Sequence, residues 1–256
     1  MGKVIMFANQ KGGVGKTSSC IEIGYILMQQ GNRVLLIDLD AQCNLTDSLG
    51  IEHEADGRDT VFDCVMENRT FKECVKPCRE KLDVLPGSRM MLSQYFVGNG
   101  DIRRLKKAVE KIQEEGSYDY ILIDVGPEGG NLMTMALMAS DYVIAVATPA
   151  KLAYSGIIQM IADIKEGQEN YKGFDVKPLG ILINAGRKTN VGFLNRERYA
   201  ELTEFFAAPF TTEIKNSCVM DECKEFGVPL SEYRPGNIIV SEYEDIVSEI
   251  RDRIGA

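Results

Sequence analysis

Histidine is nearly absent from this chain. The one copy, His53, lies among acids between Ile51 and Asp56. That context reads as protein surface, so histidine acid–base chemistry is excluded. Also missing is any apolar run of the roughly 18–20 residues that a membrane-spanning helix needs. Residues Met1 to Gln10 lack the basic segment and long apolar stretch of a secretory signal. Met1-Gly2 also opens N-myristoylation signals, but Phe7 and Ala8 follow in a strand-like run. A cytoplasmic protein is expected. No Pro/Gly/Ser-rich linker, low-complexity stretch or internal repeat interrupts the sequence. Its 256 residues, 45% of them hydrophobic, are therefore expected to form a single domain, 1–256, around one sizeable core.

Positive charge is in deficit as well. The formal net charge is -9, so the field of the whole molecule repels nucleic acid and anionic membrane. Contact with either would need a local basic patch or surfaces joined by dimerisation. Cysteine occurs seven times, at 20, 43, 64, 74, 78, 218 and 223, and free thiols are expected of a cytosolic chain. Cys74 and Cys78 are four apart, which could place half a metal site on one helix face. Lys76-Pro77 interrupts such a helix, and no second pair follows at ligand spacing.

What the sequence does have is an alternation of apolar runs and helical patterns. Lys3 to Ala8, Arg33 to Leu39, Leu82 to Leu85, Tyr118 to Val125, Tyr142 to Ala147 and Leu179 to Ile183 read as strands. Lys16 to Gln30, Asp101 to Glu115, Asn131 to Ala139, Ser155 to Asn170, Asn195 to Ala207 and Ile238 to Ile254 read as helices. Strands of near-continuous Val, Ile and Leu are buried on both faces. Their alternation with helices predicts a three-layer α/β fold, a mainly parallel sheet with helices on both faces. Ligands in such folds sit at the carboxyl ends of the strands.

After the first strand comes Asn9-Gln10-Lys11-Gly12-Gly13-Val14-Gly15-Lys16-Thr17-Ser18. Glycines let backbone N–H groups converge on a phosphate, and the helix that follows points its positive end at the same anion. Lys16 is placed to reach the β/γ-phosphates and Thr17 to coordinate Mg²⁺. Lys11, Gly12, Gly13, Val14, Gly15, Lys16, Thr17 and Ser18 are the candidate phosphate-binding residues. The general pattern G-x-x-x-x-G-K-[ST] is not strictly met, because Gln10 stands at its first glycine. With Lys11 in front, the string KGGVGKT resembles the deviant Walker A motif of the ParA/MinD/nitrogenase-iron-protein superfamily of P-loop ATPases. The Asn9-Gln10 lead-in resembles the ParA/Soj branch. The resemblance implies ATP and Mg²⁺ as ligands. It also implies a catalytic role for Lys11, which in that superfamily reaches the nucleotide of the other subunit. A cation supplied in trans makes nucleotide binding and dimerisation depend on each other.

The second strand ends in Asp38 and Asp40, which alternate with apolar neighbours and could point to one side. The stretch is similar to the family's DxDPQxN segment. That similarity implies Asp40 beside the attacking water and Asp38 in support of Mg²⁺. Ala41 stands where the family usually has proline, which loosens the backbone after Asp40. Asp124 ends the strand Tyr118 to Val125 in the Walker B arrangement, an acid that holds Mg²⁺ through water. Gly126 replaces the first proline of the family's DxPP. The run Leu179 to Gly186 resembles the strand whose terminal asparagine contacts adenine, which implies base recognition by Asn184. Pro209 and Glu213 fall in a C-terminal stretch similar to the family's base-side loop, without an assigned role.

The resemblance implies an ATP-dependent homodimer that hydrolyses ATP slowly, binds DNA non-specifically and answers a ParB-like partner. Arg187, Lys188, Arg196, Arg198, Lys215 and Arg234 are the candidate DNA contacts, although 181–215 holds five Lys/Arg against four Asp/Glu and forms no distinct patch. The alternatives are a MinD-like positioning switch or another regulatory ATPase without DNA binding. A MinD-like membrane switch predicts a basic C-terminal helix, whereas 216–256 carries nine Asp/Glu and four Lys/Arg. An iron-protein-like redox role needs paired cysteines near Asp124, where the sequence has none.

Overall fold

Consecutive Val, Ile, Leu and Met residues form strands that are buried almost throughout, because packed helices cover the sheet on both sides. The computed structural model describes residues 2–52, 59–66, 69–91, 102–114, 117–185 and 196–255. His53, Arg187 and Lys188 lie outside the described residues. The first half of the chain runs β1 (Lys3–Ala8), α1 (Lys16–Gln29), β2 (Val34–Asp38), α2 (Asn44–Ser48), α3 (Val61–Met66), α4 (Phe71–Cys74), β3 (Lys76–Arg79), β4 (Leu82–Leu85), α5 (Arg104–Glu114) and β5 (Tyr120–Asp124). The second half runs α6 (Asn131–Ala139), β6 (Tyr142–Ala147), α7 (Lys151–Asn170), β7 (Lys177–Ile183), α8 (196–200), α9 (Val219–Phe226), α10 (Leu230–Tyr233) and α11 (Ile238–Ile254).

The seven strands form one sheet in the order β3-β4-β2-β5-β1-β6-β7, parallel except for the β3–β4 pair. This is the α/β architecture that the alternation predicts. Helices α1 and α11 pack together on the sheet, and α5, α6 and α7 form a second contiguous row. The register of β1, β5 and β2 places Phe7, Asp124 and Asp38 level. The loop leaving β1 therefore starts beside two buried aspartates. Helix α1 lies close to the sheet: a Cβ on Gly24 would come within 2.6 Å of Leu36 Cδ2 and 3.2 Å of Leu122 Cδ1. A mid-helix glycine costs about 1 kcal/mol against alanine, and here it permits that approach.

Three expectations need correction. The predicted helix from Asn195 to Ala207 is not continuous over its described residues, 196–207. Among the described residues, α8 covers 196–200 and tightens into a 3₁₀ turn at Glu201–Glu204. Phe206 is then buried with Phe205 packed edge-on to it, and anchoring the pair turns the chain out of the helix. Helix α7 begins at Lys151, four residues before the predicted Ser155, because Leu152 belongs to it but is 66% exposed and so breaks the apolar periodicity. Cys74 closes α4 while Cys78 lies on β3, so the two share no helix face. All seven cysteines are free thiols. Among the described residues, no helix is long and apolar enough to cross a membrane.

Candidate functional site

Helix α1 starts without a side-chain cap. Its N-cap residue Gly15 is left-handed (φ 94°, ψ 23°), and Gly13 also has positive φ, 73°. L-residues with side chains rarely adopt these angles. A side chain at Gly15 would also overlap the amide of Asn184. The uncapped first-turn N–H groups, at the positive end of the helix, border a cavity of about 590 Å³. Two side chains fix the loop from outside. Asn9, fully buried, donates to the carbonyls of Val146 (2.8 Å) and Ala153 (3.1 Å) and accepts from the Lys11 N–H (2.9 Å). Gln10 donates to Asp163 on α7.

Lys16 is only 6% exposed, and its ammonium donates to the Lys11 carbonyl at 3.4 Å. Burial lowers its pKa from the ordinary lysine value, while Asp124, Asp40 and Glu128 oppose that shift. The Thr17 hydroxyl donates to Asp124 Oδ2 at 2.7 Å. The other oxygen, Asp124 Oδ1, is buried with no hydrogen-bond partner among the described residues. Burial and then the neighbouring Asp38 raise the Asp124 pKa to about 8. A carboxylate with one orphaned buried oxygen, beside a hydroxyl and a phosphate-type loop, fits a hydrated divalent cation.

The structure gathers most of the candidate residues at one place. Gly12, Gly13, Gly15, Lys16, Thr17 and Ser18 line the cavity, with Asp40 and Asn184 in its walls. Asp124 stands behind Thr17. Val14 is buried, and its carbonyl accepts from the Asn184 amide at 2.9 Å. Asp38 is fully buried and is not part of the cavity wall. It accepts from the Thr46 N–H (2.9 Å), the Thr46 hydroxyl (2.7 Å) and the Asp40 N–H (3.1 Å). Burial raises its pKa to about 7. Asp40 is held at Oδ1 by the Gln42 N–H (2.9 Å) and at Oδ2 by the Asn44 amide (3.0 Å). These bonds restrain the carboxylate although Ala41 lacks a proline's stiffness. Lys11 has a fixed backbone but an exposed side chain, and among the described residues its ammonium makes no ion pair.

The far wall is formed by Ile214 to Ser217 with Tyr243, rather than by Pro209 or Glu213. Glu213 instead pairs with Arg196 through Nε at 2.5 Å. Three further residues matter to the site and were not assigned from the sequence. Asn9 was visible only as part of a motif lead-in. Glu22, 2% exposed, accepts from the Leu230 N–H (2.6 Å) and the Ser231 N–H (3.1 Å), tying α1 to the start of α10. Glu128 joins the lining from the segment after Asp124. A buried acid within an apolar helix was the available signal for Glu22. Nothing in the local sequence distinguishes Glu128.

A family model described as an AAA domain matches residues 2–175. The sporulation initiation inhibitor protein Soj of Bacillus subtilis (strain 168) is 32% identical over 256 residues, covering 98% of each chain. Among solved structures, a putative plasmid partition protein from Borrelia burgdorferi B31 bound to AMPPNP has a TM-score of 0.82 at 21% identity, covering 99% of this chain and 100% of that one. The septum site-determining protein MinD from Pyrococcus horikoshii OT3, complexed with Mg-ADP, has a TM-score of 0.73 at 22% identity, covering 100% and 98%.

Proposed function

The chain belongs to the ParA/MinD family of P-loop ATPases, and from that premise we propose that it binds ATP with Mg²⁺, dimerises on the nucleotide and hydrolyses it as a partitioning switch. The observation that carries this reading is the uncapped start of α1. There Lys16 and the N–H groups of 16–18, uncapped by any side chain among the described residues, meet the Thr17–Asp124 contact with its orphaned oxygen. Triphosphate charge is received by N–H groups and Lys16, which need little rearrangement to meet it. Thr17 and Asp124 would hold Mg²⁺, with Asp38 fixing the strand end beside them. When bound, the ion supplies neutralisation of phosphate charge. Asn184 and the wall at 214–217 receive the base. The proposal is supported by relatives described as Soj and as a plasmid partition protein with AMPPNP.

Asp40 orients the water for in-line attack on the terminal phosphate. It is a buried carboxylate whose direction is set by Gln42 and Asn44, and positioning of this kind provides most of the acceleration in phosphoryl transfer. Lys11 is the residue offered to a second subunit. Its backbone is anchored by Asn9 and Lys16 while the residue is exposed to solvent. The nucleotide of one subunit then lacks this second lysine until its partner arrives, which couples ATP to the homodimer.

DNA is the proposed cargo-side surface and a ParB-like protein the proposed stimulator. Both rest on family membership rather than on a basic patch. Arg196, Lys215 and Arg234 pair with Glu213, Glu242 and Glu222, and Arg198 also has a partner. Filter binding at low salt tests the cycle. With ATP the wild type should retain duplex DNA and release it as phosphate appears. Asp40→Ala should retain DNA and turn over about a hundredfold more slowly. Absence of retention with a non-hydrolysable analogue would remove the DNA step, and unchanged turnover in Asp40→Ala would remove Asp40 from the chemistry.

A further inference from the structure

The segment after Asp124 reads Val125-Gly126-Pro127-Glu128-Gly129-Gly130, and its one charged side chain turns back into the phosphate cavity. Two carboxylates converge over Gly126. A Cβ at that glycine would overlap Glu128 Oε2 and stand 3.1 Å from Asp40 Oδ1. The two acids are held very differently. Asp40 is buried and tied at both oxygens by Gln42 and Asn44. Glu128 is exposed, and no hydrogen bond holds its carboxylate among the described residues. Lys16 lies within the electrostatic reach of Asp124, Asp40 and Glu128, the first two contributing more.

The phosphate loop separates two ends of the cavity. A Cβ on Gly12 would come within 3.8 Å of Pro127 Cγ, whereas one on Gly15 would overlap the Asn184 amide. The Asn184 end continues into Ile214 to Ser217 and Tyr243, and the Pro127 end carries Asp40 and Glu128. A base placed at the first end puts the outermost phosphate at the second. A diphosphate stops short of that end. A triphosphate brings further negative charge to a space where one fixed and one loosely held carboxylate already face Lys16. The fixed one cannot leave. The other sits between Gly126 and the pair Gly129-Gly130, where Gly130 has φ +82°. Gly129 lies against Gln10, which is bonded to Asp163 on α7. Movement of this segment therefore changes its contact with the phosphate loop and α7.

We propose that Glu128 is a specificity-determining residue of the phosphate site: its carboxylate occupies the space over Gly126 that the outermost phosphate of a triphosphate requires, so a triphosphate must displace it and a diphosphate need not. This rests on the nucleotide-site reading above. It gives the 126–130 segment a direct sense of the third phosphate within one subunit, before any partner arrives.

Isothermal titration with Mg-ADP and with a non-hydrolysable Mg-ATP analogue tests it on the full chain, with melting curves to verify folding. Glu128→Gln keeps the side-chain size and removes the charge. It should tighten the triphosphate about tenfold and leave ADP within about twofold, the effect of one unit charge near a phosphate. Gly126→Ala should shift the ratio in the same direction by evicting the carboxylate. The double variant should match Glu128→Gln, because there is then no charge left to evict. Equal changes for the two nucleotides would overturn the proposal. So would weaker triphosphate binding in Glu128→Gln, which would make Glu128 a ligand instead of a competitor. If the wild type binds neither nucleotide, the nucleotide-site reading itself fails.

Discussion

Asp38 and Asp124 lie side by side at the ends of β2 and β5, and each carboxyl is raised above its ordinary value, chiefly by burial. The stability sign follows for Asp38, whose pKa moves from 3.8 to about 7. A raised carboxyl takes up a proton on folding. Its contribution is complete below the ordinary value and is lost as pH rises through about 7. Without metal and nucleotide, wild-type stability should therefore fall by about 2–4 kcal/mol relative to Asp38→Asn between pH ~4 and ~7.5. Urea unfolding of both proteins across that range measures it, and parallel pH profiles would contradict it. The phosphate-loop residues were legible because their chemistry depends on local spacing. The roles of Asn9, Glu22 and Glu128 were not. Asn9 meets Val146 and Ala153, and Glu22 meets Leu230 and Ser231, across more than a hundred residues of chain. Glu128 matters because of what it approaches across Gly126, and residue type alone does not reveal that.

Among the elements, the central strands were the most legible part of the fold. Val34–Asp38 and Tyr120–Asp124 are buried at every position, so an uninterrupted apolar run identifies them. Strand β3 was missed because Lys76–Arg79 carries a proline and two cations on a half-exposed edge, where proline is tolerated and charge discourages further pairing. The short helices α2, α4 and α10 have too few residues to establish a period. Helix α1 shows what pattern reading does identify, and its dependence on Gly24 shows what it leaves out. Gly24→Val would drive a branched side chain into Leu36 and Leu122, costing about 1–3 kcal/mol by overpacking. Thermal melting should show a lower midpoint, with nucleotide affinity reduced because α1 carries the phosphate site. An unchanged midpoint would mean that α1 is less closely seated than its contacts imply.

On the scale of the whole molecule, net charge opposes association. Each chain carries -9, and a bound nucleotide adds more negative charge at the face proposed to meet its partner. Lys16 offsets that charge within the subunit, and the solvent-exposed Lys11 is available to offset it across the interface. Salt should assist the approach of two like-charged chains by screening, while leaving the buried contact of Lys16 largely intact. Tyr243, on the last helix, both lines the cavity and meets Ser19 of α1, so closing the site engages both ends of the chain. Sedimentation velocity with Mg²⁺ and a non-hydrolysable ATP analogue is the most direct measurement. The wild type should shift from monomer to dimer when the nucleotide is added. Lys16→Ala loses a charge-assisted contact of about 1.5–3 kcal/mol and should remain monomeric at the same concentrations. A Lys16→Ala variant that dimerises with nucleotide as the wild type does would contradict an ATP-dependent dimer built on the loop from Lys11 to Thr17.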